Sequence, residues 1–235
     1  PVNKINLGHF GYPDGSITFE TVSAQVGSHA YIGGASGSRT FDPNTNTLVA
    51  TQPTFQIASS LTPSGNYLMG LNLSSCWKYT TGYGGLTAVA GSMSSRISVI
   101  PIDDNRAWLT GISSDGSLAV QLINFSTGTS GTVQTLVAAS GLSASSSIFG
   151  MGARVVAQNG TKRLVLPYIN QAGLPRLAVS TIDAGDSLVA APAISSSVLS
   201  FSSASALSIM PAHDGYWVVG DDQAAGSTRF QRYES

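Results

Sequence analysis

The chain has 235 residues, enough to bury a full core, and only 10% of them are charged, against about 25% in an average soluble domain. Eleven basic and twelve acidic side chains nearly cancel and no basic run occurs, so composition disfavours a nucleic-acid partner. No apolar run reaches the length of about 18 residues that a spanning helix needs, so we expect no membrane insertion. Cys76 is the single cysteine, which excludes an internal disulfide.

The first 13 residues form an aromatic-rich stretch that is too short to build a core alone. Two interpretations stay open for this N-terminal arm. It packs over the edge of the domain that follows, or it docks the domain onto a larger assembly. The second interpretation predicts four docking residues: Asn6, His9, Phe10 and Tyr12. No signal-peptide core is present, which favours a protein made in the cytoplasm.

Residues 14–235 repeat one pattern, clearest in 96–126. There, three apolar runs (98–102, 107–111 and 118–125) are separated by turn residues, as in an antiparallel meander. The middle run of this meander recurs five times, at intervals of 37 to 56 residues. Its five copies are 31–33, 67–70, 108–111, 164–167 and 217–220.

A period of this length with several strands per repeat is typical of a propeller blade. We therefore predict an all-β fold, a single five-bladed β-propeller of four-stranded antiparallel blades spanning 14–235. The chain ends after the third run of the last copy, and residues 14–22 resemble the fourth run of the third copy, 130–137. An N-terminal strand would thus complete the last blade, so that no open edge is left between first and last. The alternative is a β-sandwich with irregular hairpins.

Signatures of catalysis and metal binding are lacking in the sequence. The three histidines, His9, His29 and His213, share no metal-ligand spacing, and no nucleophile elbow, zinc-protease motif or phosphate-binding loop occurs. Most aspartates stand in turns, where the side chain accepts backbone N–H bonds. We therefore expect a protein that is not an enzyme and that uses no cofactor and no metal.

Two stretches are candidate binding surfaces. Residues 76–85 hold three aromatic side chains, a lysine and three glycines in ten positions, which suits a sugar or a protein patch. The alternative is a strand with one aromatic face on the core. A second polar and aromatic loop covers 168–176. The predicted ligand-binding residues are Trp77, Lys78, Tyr79, Tyr83, Tyr168 and Arg176. Trp108 and Trp217 occupy equivalent repeat positions and are predicted to pack between blades.

The repeat itself resembles the propeller repeats of bacteriophage tail and fibre proteins. The resemblance rests on an apolar-proline pair, an Asp/Asn turn, an aromatic-apolar-apolar-Gly run and a strand near Gly-Thr-Val, clearest in 96–136 and 206–233. It implies a virion protein, made in the host cytoplasm, that acts as a receptor-binding or peripheral tail or fibre component. Its partners would be other virion proteins, through the arm, and a host surface glycan. The alternatives are a secreted carbohydrate-binding lectin and, third, a glycan-degrading enzyme.

Overall fold

The structure is a computed structural model that describes part of the chain. The described residues are 22–26, 29–34, 37–42, 47–51, 57–71, 75–80, 87–143, 153–194, 204–222 and 226–233. Within them the strands form five antiparallel sheets that follow one another along the chain, four of four strands and one of three. One short 3-10 turn, Ala139–Gly141, is the only helical element among the described residues.

The strands of each sheet are neighbours in sequence and in space. The first sheet contains β1 Val22–Val26, β2 His29–Gly34, β3 Gly37–Asp42 and β4 Thr47–Thr51. The second contains β5 Ile57–Leu61, β6 Tyr67–Leu71, β7 Ser75–Thr80 and β8 Thr87–Ala90. The third contains β9 Ser95–Pro101, β10 Arg106–Ile112, β11 Leu118–Asn124 and β12 Thr129–Val137. The fourth contains β13 Arg154–Gln158, β14 Thr161–Ile169, β15 Pro175–Ile182 and β16 Leu188–Ile194, and the fifth contains β17 Ala204–Pro211, β18 Tyr216–Asp222 and β19 Ser227–Tyr233.

The predicted all-β fold of four-stranded antiparallel sheets is confirmed. Each of the five copies of the middle apolar run lies in the second strand of its sheet: β2, β6, β10, β14 and β18. In the second to fifth sheets, the turn residues that precede these runs join the first and second strands. Gly65, Gly160 and Gly215 in these turns have positive φ, a conformation that glycine adopts without steric cost.

Among the described residues, three apolar cores lie between consecutive sheets from the second to the fifth. Alternation along β10 sends Leu109 towards the second sheet, where it joins a core with Met69 and Cys76. Trp108 points the other way, into a core shared with Leu164 and other residues of the fourth sheet. A third core joins the fourth and fifth sheets. Trp108 is 1% exposed, which confirms its predicted packing role.

The fifth sheet ends differently from the others. Its described strands are β17, β18 and β19, and the segment predicted to add a fourth strand, 14–22, lies almost wholly outside the described residues. Pairing alternation places Met210, Trp217, Val219 and Phe230 on the face of this sheet that points away from the fourth sheet. Phe230 is 63% exposed and Met210 is also exposed. Two of the three exposed large apolar side chains among the described residues, Met210 and Phe230, thus lie on this face.

In the part of the chain that the structure describes, no helix has the length and hydrophobicity needed to cross a membrane.

Candidate functional site

Among the described residues, hairpins that join first and second strands contact one another in two places, at one end of the sheets. The Ser64 hydroxyl in the β5–β6 hairpin donates to the Asp104 carboxylate in the β9–β10 hairpin. In the same way the Asn159 N–H in the β13–β14 hairpin donates to Asp214 Oδ1 in the β17–β18 hairpin, at 2.9 Å. Asp104 and Asp214 hold equivalent repeat positions, so the same residue of the repeat bridges neighbouring sheets twice.

A cleft of about 530 Å³ opens at this end, between the second and third sheets. Its walls come from the β5–β6, β9–β10 and β11–β12 hairpins. Apart from two apolar residues the lining is polar, and it offers carboxylates, amides, hydroxyls and one guanidinium. The lining residues are Pro63, Ser64, Ile102, Asp103, Asp104, Asn105, Arg106, Asn124 and Ser126.

Lys78 of β7 does not line the cleft, but it holds two residues that do. Its Nζ donates to the backbone carbonyl of Asp104 at 2.9 Å and to Asn105 Oδ1 at 2.8 Å. The ammonium also lies 4.4 Å from the centroid of the Tyr67 ring, a favourable cation–π distance. With only 9% exposure, Lys78 fixes the β9–β10 hairpin against the second sheet.

Arg106 links the cleft to the fourth sheet. Its Nε donates to Asp103 Oδ2 at 2.7 Å, and its Nη2 donates to Asp186 Oδ2 at 2.8 Å. Asp186 stands in the hairpin between β15 and β16, and its Oδ1 lies 3.5 Å from Lys162 Nζ. One guanidinium is thus held by two carboxylates that come from different sheets.

Both carboxyl groups of the cleft are held in the ionised form. The Ser64 hydroxyl is the main cause that lowers the pKa of Asp104, with help from Thr62 and Lys78. For Asp103, burial opposes ionisation, but N–H donors from the backbone of Asn105 and from Arg106 outweigh it and lower the pKa. The cleft therefore offers strong hydrogen-bond acceptors, while the neighbouring cations compensate their charge.

The residues predicted to bind ligand do not form one site. Trp77 and Lys78 are neighbours on β7, so they point to opposite faces, and Lys78 faces the third sheet. Tyr168 and Arg176 are cross-strand partners in the fourth sheet, beside the β14–β15 hairpin and thus at the other end of the strands. Tyr168 is 3% exposed within the core between the third and fourth sheets, and burial raises its pKa.

Several predicted residues lie beyond what the structure describes. Tyr79 belongs to β7, but its side chain is not described, and Tyr83 lies outside the described residues. The four docking residues of the arm, Asn6, His9, Phe10 and Tyr12, are likewise outside them. Ligand binding and docking by these residues stay predictions.

The sequence did contain a signal for the cleft. The sequence predicts a turn at residues 103–105, and Asp103 does cap this hairpin by accepting from the Asn105 and Arg106 N–H groups. The turn pattern does not show that the following residue, Asp104, also contacts a neighbouring hairpin. The recurrence of aspartate at 104 and 214 could have indicated a contact between repeats. Among the described residues, no group of three or more His, Cys, Asp or Glu side chains is placed to hold a metal ion.

Comparison of the fold with solved structures finds β-propeller proteins. An auxiliary nutrient binding protein from Bacteroides thetaiotaomicron matches 91% of the chain with a TM-score of 0.57 and 11% identity, over 55% of its own length. U3-55K matches 82% of the chain with a TM-score of 0.51 and 14% identity, over 57% of its length. A puromycin-hydrolyzing peptidase from Mycobacterium tuberculosis matches 92% of the chain with a TM-score of 0.51 and 14% identity, over 37% of its length.

At these identities the likeness concerns the fold alone. The chain spans about half the length of the first of these proteins, and less than two thirds of the length of each of the others. No protein-family model matches the sequence, and no curated protein matches it at a significant level. The resemblance to phage tail and fibre repeats therefore stays a prediction.

Replacing Lys78 by methionine tests its structural role. The variant keeps the apolar stem but leaves the Asp104 carbonyl and Asn105 Oδ1 without their donor, so we expect a loss of about 1–3 kcal/mol in the free energy of unfolding. Urea denaturation measures this loss. The matched control is Lys162→Met, which removes a 63% exposed ammonium and should cost about 0–1 kcal/mol. Equal losses in the two variants would contradict the structural role.

Replacing Asp103 by asparagine tests the electrostatics of the cleft. Because the pKa of Asp103 is lowered in the folded chain, the ionised carboxylate stabilises the fold above its unfolded pKa of about 3.9, and this stabilisation is lost as pH falls through the folded pKa. The wild type should therefore exceed Asp103→Asn in urea midpoint at neutral pH, and the gap should shrink from about pH 4 downwards. The control Ser126→Asn should show a gap that is independent of pH. A gap that widens on acidification would refute the assignment.

Proposed function

We propose that this chain is a carbohydrate-binding β-propeller without catalytic activity, and that its binding site is the cleft between the β5–β6 and β9–β10 hairpins. The observation that carries the proposal is the lining of the cleft, in which ionised carboxylates, amides, hydroxyls and the Arg106 guanidinium converge around about 530 Å³. This volume lies within the range of about 300–1,000 Å³ that small-ligand sites occupy. Sugar hydroxyls both donate and accept, so a lining of this mixed kind suits them.

The carboxyl groups support binding rather than glycoside hydrolysis. A glycosidase needs one carboxyl group whose pKa is raised, so that it is protonated and can act as general acid. In the cleft, the pKa values of Asp103 and Asp104 are both lowered. Each carboxylate is also engaged in hydrogen bonds that hold the hairpins in place. These groups are suited to accept hydrogen bonds from a ligand and not to protonate a leaving group.

The fuller proposal places this module in a phage virion, as a receptor-binding or peripheral tail or fibre component that binds a host surface glycan or another virion subunit. Its support is the repeat pattern of 96–136 and 206–233, together with the low charge of the chain. The N-terminal arm would dock the module to other virion proteins. A secreted lectin would use the same cleft, and imaging of the protein in its native assembly separates the two.

The fold part of the proposal is a ring of five blades in which residues 14–22 pair with β19. Trp217 supports it, because its repeat equivalent Trp108 is buried against the following sheet. In a ring the sheet that follows the fifth is the first. The exposed face that carries Met210 and Phe230 would then be covered, and residues 14–22 would add a fourth strand to the fifth sheet.

A tryptophan placed in the cleft tests the binding site. Ser126 is exposed and lines the cleft, so Ser126→Trp should fill it and lower glycan-array binding at least about tenfold by excluding the ligand. The control Ser114→Trp puts the same side chain in an exposed turn at the other end of the same sheet. If Ser126→Trp binds as the wild type does, the cleft is not the site. Loss of binding in Trp77→Ala alone would instead favour the predicted β7 surface.

Engineered cysteines test ring closure. We expect Phe230→Cys to form an intramolecular disulfide with either Ile17→Cys or Phe19→Cys, because strand pairing brings Cα atoms within the roughly 7 Å that a disulfide requires. Peptide mapping by mass spectrometry under non-reducing conditions identifies the bond. Asn3→Cys combined with Phe230→Cys is the control and should not cross-link. A folded protein in which neither pair forms, or in which the bond joins two molecules, would count against closure.

A further inference from the structure

Arg106 is the one cation among the residues that line the cleft. Its Nε and Nη2 are engaged by Asp103 and Asp186, while its Nη1 makes no hydrogen bond to a described residue. The side chain is 31% exposed. Nη1 is therefore the part of the guanidinium that a ligand oxygen could use.

Asp186 occupies an unusual backbone position. Its φ is 58°, in the left-handed region that costs a non-glycine residue roughly 1 kcal/mol or more. The corresponding hairpin of the third sheet, between β11 and β12, has Gly128 with φ 68° at its positive-φ position. A strained aspartate where glycine would be relaxed points to a role for the side chain.

The side chain of Asp186 connects the fourth sheet to the third. It is only 14% exposed, and its Oδ2 accepts from Arg106 Nη2 at 2.8 Å. Together with Asp103 it gives the guanidinium two carboxylate partners, which more than compensate the charge of Arg106, and Lys162 offsets the excess at 3.5 Å from Asp186. In the β9–β10 hairpin, the backbone carbonyl of Asp104 accepts from Lys78, whose positive charge offsets that of the Asp104 carboxylate.

From this geometry we propose that Asp186 is a positioning and specificity-determining residue of the cleft, which presents a charge-compensated Arg106 and thereby selects uncharged sugars over anionic ones. The inference rests on the proposed function. A hydroxyl or ring oxygen of an uncharged sugar can be bound by a hydrogen bond from Nη1 alone. A uronate or sialate carboxylate would also need a net positive field, and Asp103 and Asp186 cancel that field. Without the charge of Asp186, Arg106 and Lys162 would be offset by Asp103 alone, and the resulting net positive charge would attract an anionic sugar.

The test is a glycan array that carries matched neutral and sialylated forms of the same glycans. The wild type should bind the neutral forms more strongly. Asp186→Asn keeps an acceptor and tolerates the positive φ, but removes the charge, so the ratio of sialylated to neutral binding should rise about tenfold, as expected for one charge near a surface at low salt. Asp186→Gly relieves the backbone strain and should shift the ratio in the same direction without loss of thermal stability.

Lys162→Met is the matched control, because it removes the other partner of Asp186 and leaves Arg106 paired. Its ratio of sialylated to neutral binding should stay at or below that of the wild type, because this variant removes a positive charge and not a negative one. The inference is overturned if the wild type already prefers sialylated glycans, or if both Asp186 variants bind with the ratio unchanged. Binding to no glycan of either form would overturn the proposed function itself, so the two failures are distinguishable.

Discussion

The structure depends on the burial of both faces of its inner sheets. Period-2 alternation gives a sheet two faces, and an isolated sheet would leave one of them in water. In the third sheet, Leu109 and Ala119 are buried against the second sheet, while Trp108 and Val120 are buried against the fourth. Such a sheet is stable only between two neighbours. Face-to-face stacking of consecutive repeats is therefore required by the sequence, and not merely allowed by it.

Stacking of this kind brings the ends of neighbouring strands together and so creates the cleft. When two sheets pack through their faces, their hairpins lie side by side at the rim, where water competes for every polar group. Asp104 bonds to the hairpin of the preceding sheet, and Asp214 does the same for its own predecessor. These contacts fix the spacing of the hairpins without apolar contact, which leaves a polar cleft at the seam instead of a closed core.

Much of this fold could be predicted from the sequence because the signal for it is local. A hairpin needs a turn residue between two apolar runs, and each of those features is visible within one repeat. The positions of β6, β10, β14 and β18 follow directly from the recurring middle run. The burial of Trp108 follows as well, since an aromatic residue in the second strand of a two-faced sheet has a core on either side.

The site could not be predicted in the same way, because its residues come from three hairpins and from different repeats. Composition drew attention to residues 76–85, whose aromatic density is high. A high density of aromatic residues along a strand does not show which way each side chain points, and successive residues face opposite sides of the sheet. Trp77 and Lys78 therefore cannot cooperate at one surface, and the lysine amine is used to hold Asp104 and Asn105. The turn interpretation of 103–105 was correct for Asp103 and incomplete for Asp104.

The fifth sheet makes the physical case for closure. Its face towards the fourth sheet is buried through Ile209 and Val218, as in the other inner sheets. The opposite face carries an indole, a valine, an exposed methionine and an exposed phenylalanine, with Arg232 stacked 5.7 Å from the Trp217 ring. Both faces of this sheet are therefore apolar, as in the inner sheets that lie between two neighbours. The second apolar face needs a neighbour as well, and the ring that we propose would provide one from the start of the chain.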